Sequence, residues 1–226
     1  MKIDNLTLSF KNKIVLRDIS LDIAPWEFVF FIGHSGSGKT TLIRSLIGDF
    51  KPERWDVALD SGWFLYRNLT EKLLLDYRRS IGVIFQDYKL MESKTVYENV
   101  AFAMEVCWYK DMQIQRKVPQ ALEQVWLLLK RDTSVMELSG WEKQRVSIAR
   151  ALVHEPSIII GDEPTWNLDP QTAGEILDIF LDLHKDGKTV IIATHDANIV
   201  NTLKKRVIAF KDKKIVSDIQ GGGYSL

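Results

Sequence analysis

Two short stretches of this 226-residue chain combine residue types that handle phosphate and metal. The first is Gly33-His34-Ser35-Gly36-Ser37-Gly38-Lys39-Thr40, with Thr41 following, which fits the pattern G-x-x-x-x-G-K-[ST]. Its glycines let backbone N–H groups turn inward around a phosphate, and a helix starting at the end of the loop points its positive end at the same anion. Lys39 adds a point charge toward the β/γ oxygens, and the Thr40 hydroxyl is of the kind that ligates Mg2+. The second stretch is Asp162-Glu163, adjacent acids closing the apolar run Ile158-Ile159-Ile160-Gly161. Beside a phosphate loop, Asp162 can hold Mg2+ through water, and Glu163 can orient or deprotonate an attacking water. The alternative is an acidic strand end capped by solvent.

These residues need a scaffold that places strand ends side by side. Phe28-Val29-Phe30-Phe31-Ile32 is a fully apolar run that reads as a buried strand before the loop, and residues 39–47 read as a helix after it. Residues 14–23 alternate as a half-buried strand, and residues 81–85 form another short one. From about Thr95 to Lys130 the pattern is helical, with Val96, Val100, Ala103 and Met104, then Val118, Leu122 and Val125, at helical spacing. A further helix is expected from Trp141 to His154. Beyond it come strand 157–160, helix 169–185, strand 189–193, helix 197–203 and a hairpin around Lys211–Lys214. Strands alternating with helices predict an α/β layered core with a mainly parallel sheet, and the helical stretch 88–155 reads as an insert.

Composition narrows the function classes. Thirty basic and thirty acidic side chains give zero net charge, so no electrostatic footprint for nucleic acid or an anionic membrane is expected. Phe28–Ile32 is far shorter than the roughly 20 residues of a membrane span. Met1-Lys2-Ile3-Asp4 carries no apolar run behind it, so no secretory signal is expected, and one Cys excludes an intrachain disulfide. A cytosolic location follows as the expectation.

Between the two acidic and phosphate stretches lie Gln86 after a strand and Leu138-Ser139-Gly140-Trp141-Glu142-Lys143-Gln144-Arg145; after them come Asn167-Leu168-Asp169 and Thr194-His195-Asp196. The order of these motifs resembles the ABC-type ATPases over nearly the whole chain. That resemblance implies a P-loop NTPase core with helices on both faces of the sheet and an antiparallel N-terminal β part. It also implies one ATP-binding domain over residues 1–226, whose inserted helical subdomain (about 88–155) carries Ser139 and Gly140. ATP and Mg2+ are the implied ligands. Gln86 matches the loop glutamine that senses Mg2+ and the γ-phosphate, and His195 the switch histidine near that phosphate. Ser139 and Gly140 match the signature that closes over ATP held by the other subunit of a homodimer. Phe10 falls where the family puts an aromatic that stacks on adenine. The bland readings are strand core for Phe10, a satisfied polar residue for Gln86 and a strand-end histidine for His195. Catalysis would rest on Lys39, Gln86, Glu163 and His195, and metal on Thr40, Gln86 and Asp162. Within the family, residues 82–106 resemble the FtsE-type cell-division ATPases; ATPase subunits of lipoprotein-release and macrolide-export transporters are similar here. The cell-division resemblance implies a peripheral place on the inner face of the membrane. There an FtsX-like integral membrane subunit would dock near Gln86–Val100, and no nucleic acid is expected.

The chain departs from the family at tryptophan. Seven Trp stand beside 13 Gly. Trp141 occupies the second glycine of the signature, where close backbone approach to a phosphate leaves no room for an indole. Trp26, Trp55 and Trp166 also stand where the family has glycine, Trp126 at a helix C-cap, and Trp63 and Trp108 in expected loops. Either glycines and much of the hydrolysis were lost, or codons for glycine are being read as Trp. UGA encodes Gly in some bacteria and Trp in others. The second explanation is favoured, and it predicts UGA at Trp26, Trp55, Trp141 and Trp166.

Overall fold

The structure is a computed structural model. It describes residues 1–10, 13–49, 54–59, 62–64 and 71–225; for residue 10 and for residues 54–75 within those ranges it describes the backbone alone. Strands β1 (Lys2–Phe10), β2 (Lys13–Asp22), β4 (Arg54–Leu59) and β5 (Gly62–Phe64) form an antiparallel sheet in the order β2-β1-β4-β5. The second sheet holds β3 (Phe28–Ile32), β6 (Ile81–Ile84), β7 (Ile158–Asp162), β8 (Thr189–Ala193), β9 (Arg206–Lys211) and β10 (Lys214–Ile219). Its order is β10-β9-β3-β8-β7-β6, parallel throughout except for the β9–β10 hairpin.

The uninterrupted apolar runs have a direct cause. A strand covered on both faces buries every side chain, so alternation disappears. Phe28, Phe30 and Ile32 of β3 face one core cluster, and Val29 and Phe31 face the other. Ile159, Val190 and Ile192 join the first cluster, and Ile160 and Ile191 the second. Helices α1 (Lys39–Leu46), α2 (Glu71–Ser80), α6 (Pro170–Lys185) and α7 (Ala197–Leu203) flank the sheet elements in sequence.

The stretch expected to be helical from Thr95 to Lys130 is broken into α3 (Val96–Glu105) and α4 (Asp111–Gln124), followed by a 3-10 turn at Leu128–Lys130. The breaks fall at Trp108 and Trp126, both with left-handed backbone. Helix α5 (Gly140–Leu152) then packs on α3 and α4 through Val146, Ile148, Ala149 and Leu152. Trp63, expected in a loop, lies in β5; Trp55 lies in β4, and neither side chain is among those described. Among the described residues no helix is long and apolar enough to cross a membrane.

Candidate nucleotide site

Strand order builds the site. Because β8 sits between β3 and β7 and all three run parallel, their carboxyl ends emerge together. The loop after β3, the Asp162-Glu163 pair ending β7 and the Thr194-His195 segment after β8 therefore meet on one rim, where ligands of such sheets bind. The residues His34 to Thr41, Gln86, Glu163 and His195 line one cavity of about 680 Å3 there.

The loop keeps its shape through glycine. Gly36 and Gly38 have φ of 79° and 111°, in the left-handed region that side chains avoid. A Cβ on Gly38 would stand 2.6 Å from Leu16 Cδ2, and one on Gly33 2.5 Å from the Phe210 carbonyl oxygen. Gly38 opens α1 with no side-chain cap and no acid in the first turn, so the positive end of that helix is left for an anion. Buried Ser37 Oγ has no hydrogen-bond partner in the loop. This cradle fits a nucleotide phosphate.

Lys39 is buried, and its ammonium donates to the Gly33 carbonyl at 2.6 Å and the His34 carbonyl at 3.4 Å. Burial lowers its pKa, against the opposing charges of Glu163 and Asp162. Thr40 Oγ1 donates to Asp162 Oδ1 at 3.2 Å, joining residues far apart in sequence. Asp162 is 4% exposed, and burial pushes its pKa up, as does the Glu163 charge, while the Thr40 hydrogen bond and Lys39 pull it down. No cluster of three or more His, Cys, Asp or Glu able to hold a metal exists among the described residues. A hydroxyl and one carboxylate suit Mg2+, which keeps waters and takes further oxygens from phosphate.

Glu163 stands at φ 51°, left-handed although it is not glycine. Its N–H donates to the Ala193 carbonyl at 2.9 Å and its own carbonyl accepts from Trp166 N–H at 3.0 Å, so the strained turn is tied at both ends. Its Oε1 lies 2.9 Å from His195 Nδ1, and His195 N–H donates to Oε2 at 3.4 Å. The Trp166 ring packs tilted against the His195 ring, their centroids 5.1 Å apart. Gln86 is exposed and lines this cavity together with an adjoining one that includes Tyr88, Asp162 and Asn167. The segment after Gln86 is fastened to α5 by Arg150, which donates to the carbonyls of Lys89 at 2.5 Å and Tyr88 at 2.6 Å.

Ser139 and Gly140 do not line the cavity. They form the exposed amino end of α5, where Ser139 N–H and Oγ both donate to Glu142 Oε2, at 3.0 and 2.8 Å, and Lys130 pairs with the same carboxylate. Trp141 follows, its ring 4.9 Å from the Arg145 guanidinium. Phe10 ends β1, but its side chain lies outside the described residues. Sequence reasoning missed Tyr224, which lines the cavity and whose hydroxyl pKa is raised by burial and by the Glu163 charge. The tail reaches the site because Gly222 and Gly223 pack where a Cβ would stand 3.2 Å from Val207 and 2.9 Å from Asn201. The run Gly221-Gly222-Gly223 was the available signal.

A glycine cradle, a buried lysine, a Thr–Asp pair and a carboxylate–histidine couple on the rim of a parallel sheet define a nucleotide-binding P-loop protein. The sequence pattern of the ABC transporter family matches residues 16–166, and the chain belongs to that family. It is 44% identical over 209 residues to the cell division ATP-binding protein FtsE of Streptococcus pneumoniae, covering 92% of this chain and 90% of the relative. It is 42% identical over 226 residues to FtsE of Mycobacterium tuberculosis, covering 99% and 97%. A dimeric ATP-binding cassette in a post-hydrolysis state with ADP and phosphate superposes with a TM-score of 0.86 at 31% identity, covering 99% of both chains.

Proposed function

We propose that the chain is the Mg2+-dependent, ATP-hydrolysing subunit of a cell-division complex, acting as a homodimer with an FtsX-like membrane subunit. The observation that carries the chemistry is the Glu163–His195 couple at 2.9 Å, opening into the same cavity as the phosphate loop. Mg2+, when bound, supplies positive charge to the β/γ oxygens. Thr40 and Asp162 would hold it. Lys39 draws the phosphates into the loop, and Gln86 watches the same space. Glu163 accepts the proton of the attacking water, while His195 holds that carboxylate in place from one side. Residues 1–226 make up one ATP-binding domain, and the 88–155 insert carries Ser139 and Gly140. Their exposure outside the cavity suits a role on ATP held by a second subunit. The likeness to cell-division relatives and to a dimeric cassette supports the partner and the homodimer. A peripheral place on the inner face of the membrane follows from that partner.

Two measurements test this reading. Glu163→Gln should leave ATP binding intact and slow turnover by about 10²–10⁴-fold, and unchanged turnover removes Glu163 from its role. The tagged chain should co-purify with an integral membrane protein; isolation without one refutes the complex. A second reading, a nucleotide-dependent scaffold with little hydrolysis, is favoured by the Trp141 indole on the first turn of α5. ATPase activity measured with and without the membrane subunit separates the two.

A further inference from the structure

Among the described residues, four helices end in the same nested turn. After α1, Gly48 N–H donates to the Ser45 carbonyl and Asp49 N–H to Arg44, both at 3.0 Å. After α6, Gly187 donates to His184 and Lys188 to Leu183, again at 3.0 Å. After α3, Trp108 donates to Glu105 at 3.0 Å and Tyr109 to Met104 at 3.2 Å. After α4, Trp126 donates to Glu123 at 3.0 Å and Leu127 to Leu122 at 2.9 Å. This is the Schellman pattern, whose left-handed residue is usually glycine. The four residues in question have φ of 76°, 79°, 61° and 55°; two are Gly and two are Trp.

A third tryptophan repeats the anomaly in a different setting. Pro25 is followed by Trp26 at φ 62°, the order of a type II turn, which calls for glycine in the second place. That conformation is pinned, because Trp26 N–H donates to Thr189 Oγ1 at 3.0 Å and its carbonyl lies 3.0 Å from His184 Nε2. For a bulky residue, positive φ is an outlier; of the 13 non-glycine residues that have it among those described, three are Trp, out of seven Trp in the chain. Burial offers no compensation, since Trp26, Trp108 and Trp126 are 71%, 88% and 60% exposed.

We propose that residues 26, 108 and 126 are glycine in the polypeptide the cell makes, specified by UGA codons read as glycine. Trp55, Trp141 and Trp166 do not have left-handed backbone, so this geometric ground does not extend to them. A reassigned UGA converts only the glycines that use that codon, which explains why Gly48 and Gly187 stand unchanged at equivalent turns. Arg145, whose guanidinium lies 4.8 and 4.9 Å from the Trp126 and Trp141 rings, keeps the Val125 carbonyl and Glu175.

The protein isolated from its own host settles the point by peptide mass. Peptides spanning 26, 108 and 126 should each weigh as glycine, and the gene should carry UGA at those codons. A tryptophan mass at 26, 108 or 126, or UGG there, overturns the proposal. A second measurement uses the recombinant chain: Trp108→Gly should melt about 2–4 °C above Trp108→Ala, and equal melting temperatures remove the backbone argument.

Discussion

Glu163 combines two loads that substitution can separate. Its side chain is the proposed base, and its backbone at φ 51° occupies a region that costs a non-glycine residue about 1–2 kcal/mol. The turn is held there by the Ala193 and Trp166 hydrogen bonds, so it persists when the side chain is changed. Glu163→Gln keeps the strain and the shape but not the proton acceptor, so turnover should fall by about 10²–10⁴-fold with little change in melting. Glu163→Ala and Glu163→Gly both remove the contact to His195. Their difference therefore isolates the backbone. Glycine relieves the left-handed strain and loses part of that gain to its greater freedom in the unfolded chain, leaving roughly 1 kcal/mol. At this chain length that corresponds to about 2–4 °C. Melting by differential scanning calorimetry and steady-state phosphate release are the assays. The inactive glycine variant should melt above the alanine variant. Alanine melting at or above glycine would refute the strain, and Gln turnover within tenfold of the parent would refute the role of the carboxylate as base.

Other consequences can be checked in the same preparations. Lys39→Met should abolish the thermal shift that ATP produces, because the ammonium that meets the phosphates is gone; an undiminished shift would count against the loop. Asp162 has a folded pKa raised above the unfolded value, so its ionised form opposes folding above the folded pKa, and that penalty fades as pH falls through it. Asp162→Asn should therefore melt higher at neutral pH, with the gain vanishing in acid, while Mg2+-dependent ATP binding is lost throughout. Arg206, held by Asp218 at 2.6 and 2.7 Å and by Glu27 at 2.9 Å, anchors β9 near the start of β3. Arg206→Ala should cost about 1.5–3 kcal/mol, read as a melting decrease of about 3–12 °C.

What could be read from the chain alone was local and contiguous. The phosphate loop is eight successive residues whose glycines, lysine and threonine act through their own backbone turn, so residue order alone specifies them. The buried strands announced themselves as unbroken apolar runs because both of their faces are covered. The α3–α4 break at Trp108 was not legible in the apolar spacing, which runs on as helix to Lys130 because no glycine is written there; only the family resemblance put Trp108 in a loop and Trp126 at a helix end. Tertiary structure decided the rest. Only the order β3-β8-β7 brings Thr40 to Asp162 and Glu163 to His195, because which strand lies between two others depends on pairings across the whole sheet. The same holds for Tyr224, which reaches the cavity by a tail folded back over Asn201, and for the left-handed turns at Glu163, Tyr88 and Lys89. Those are non-glycine residues, and nothing in their own identity calls for positive φ; the hydrogen bonds to distant strands and to Arg150 impose it.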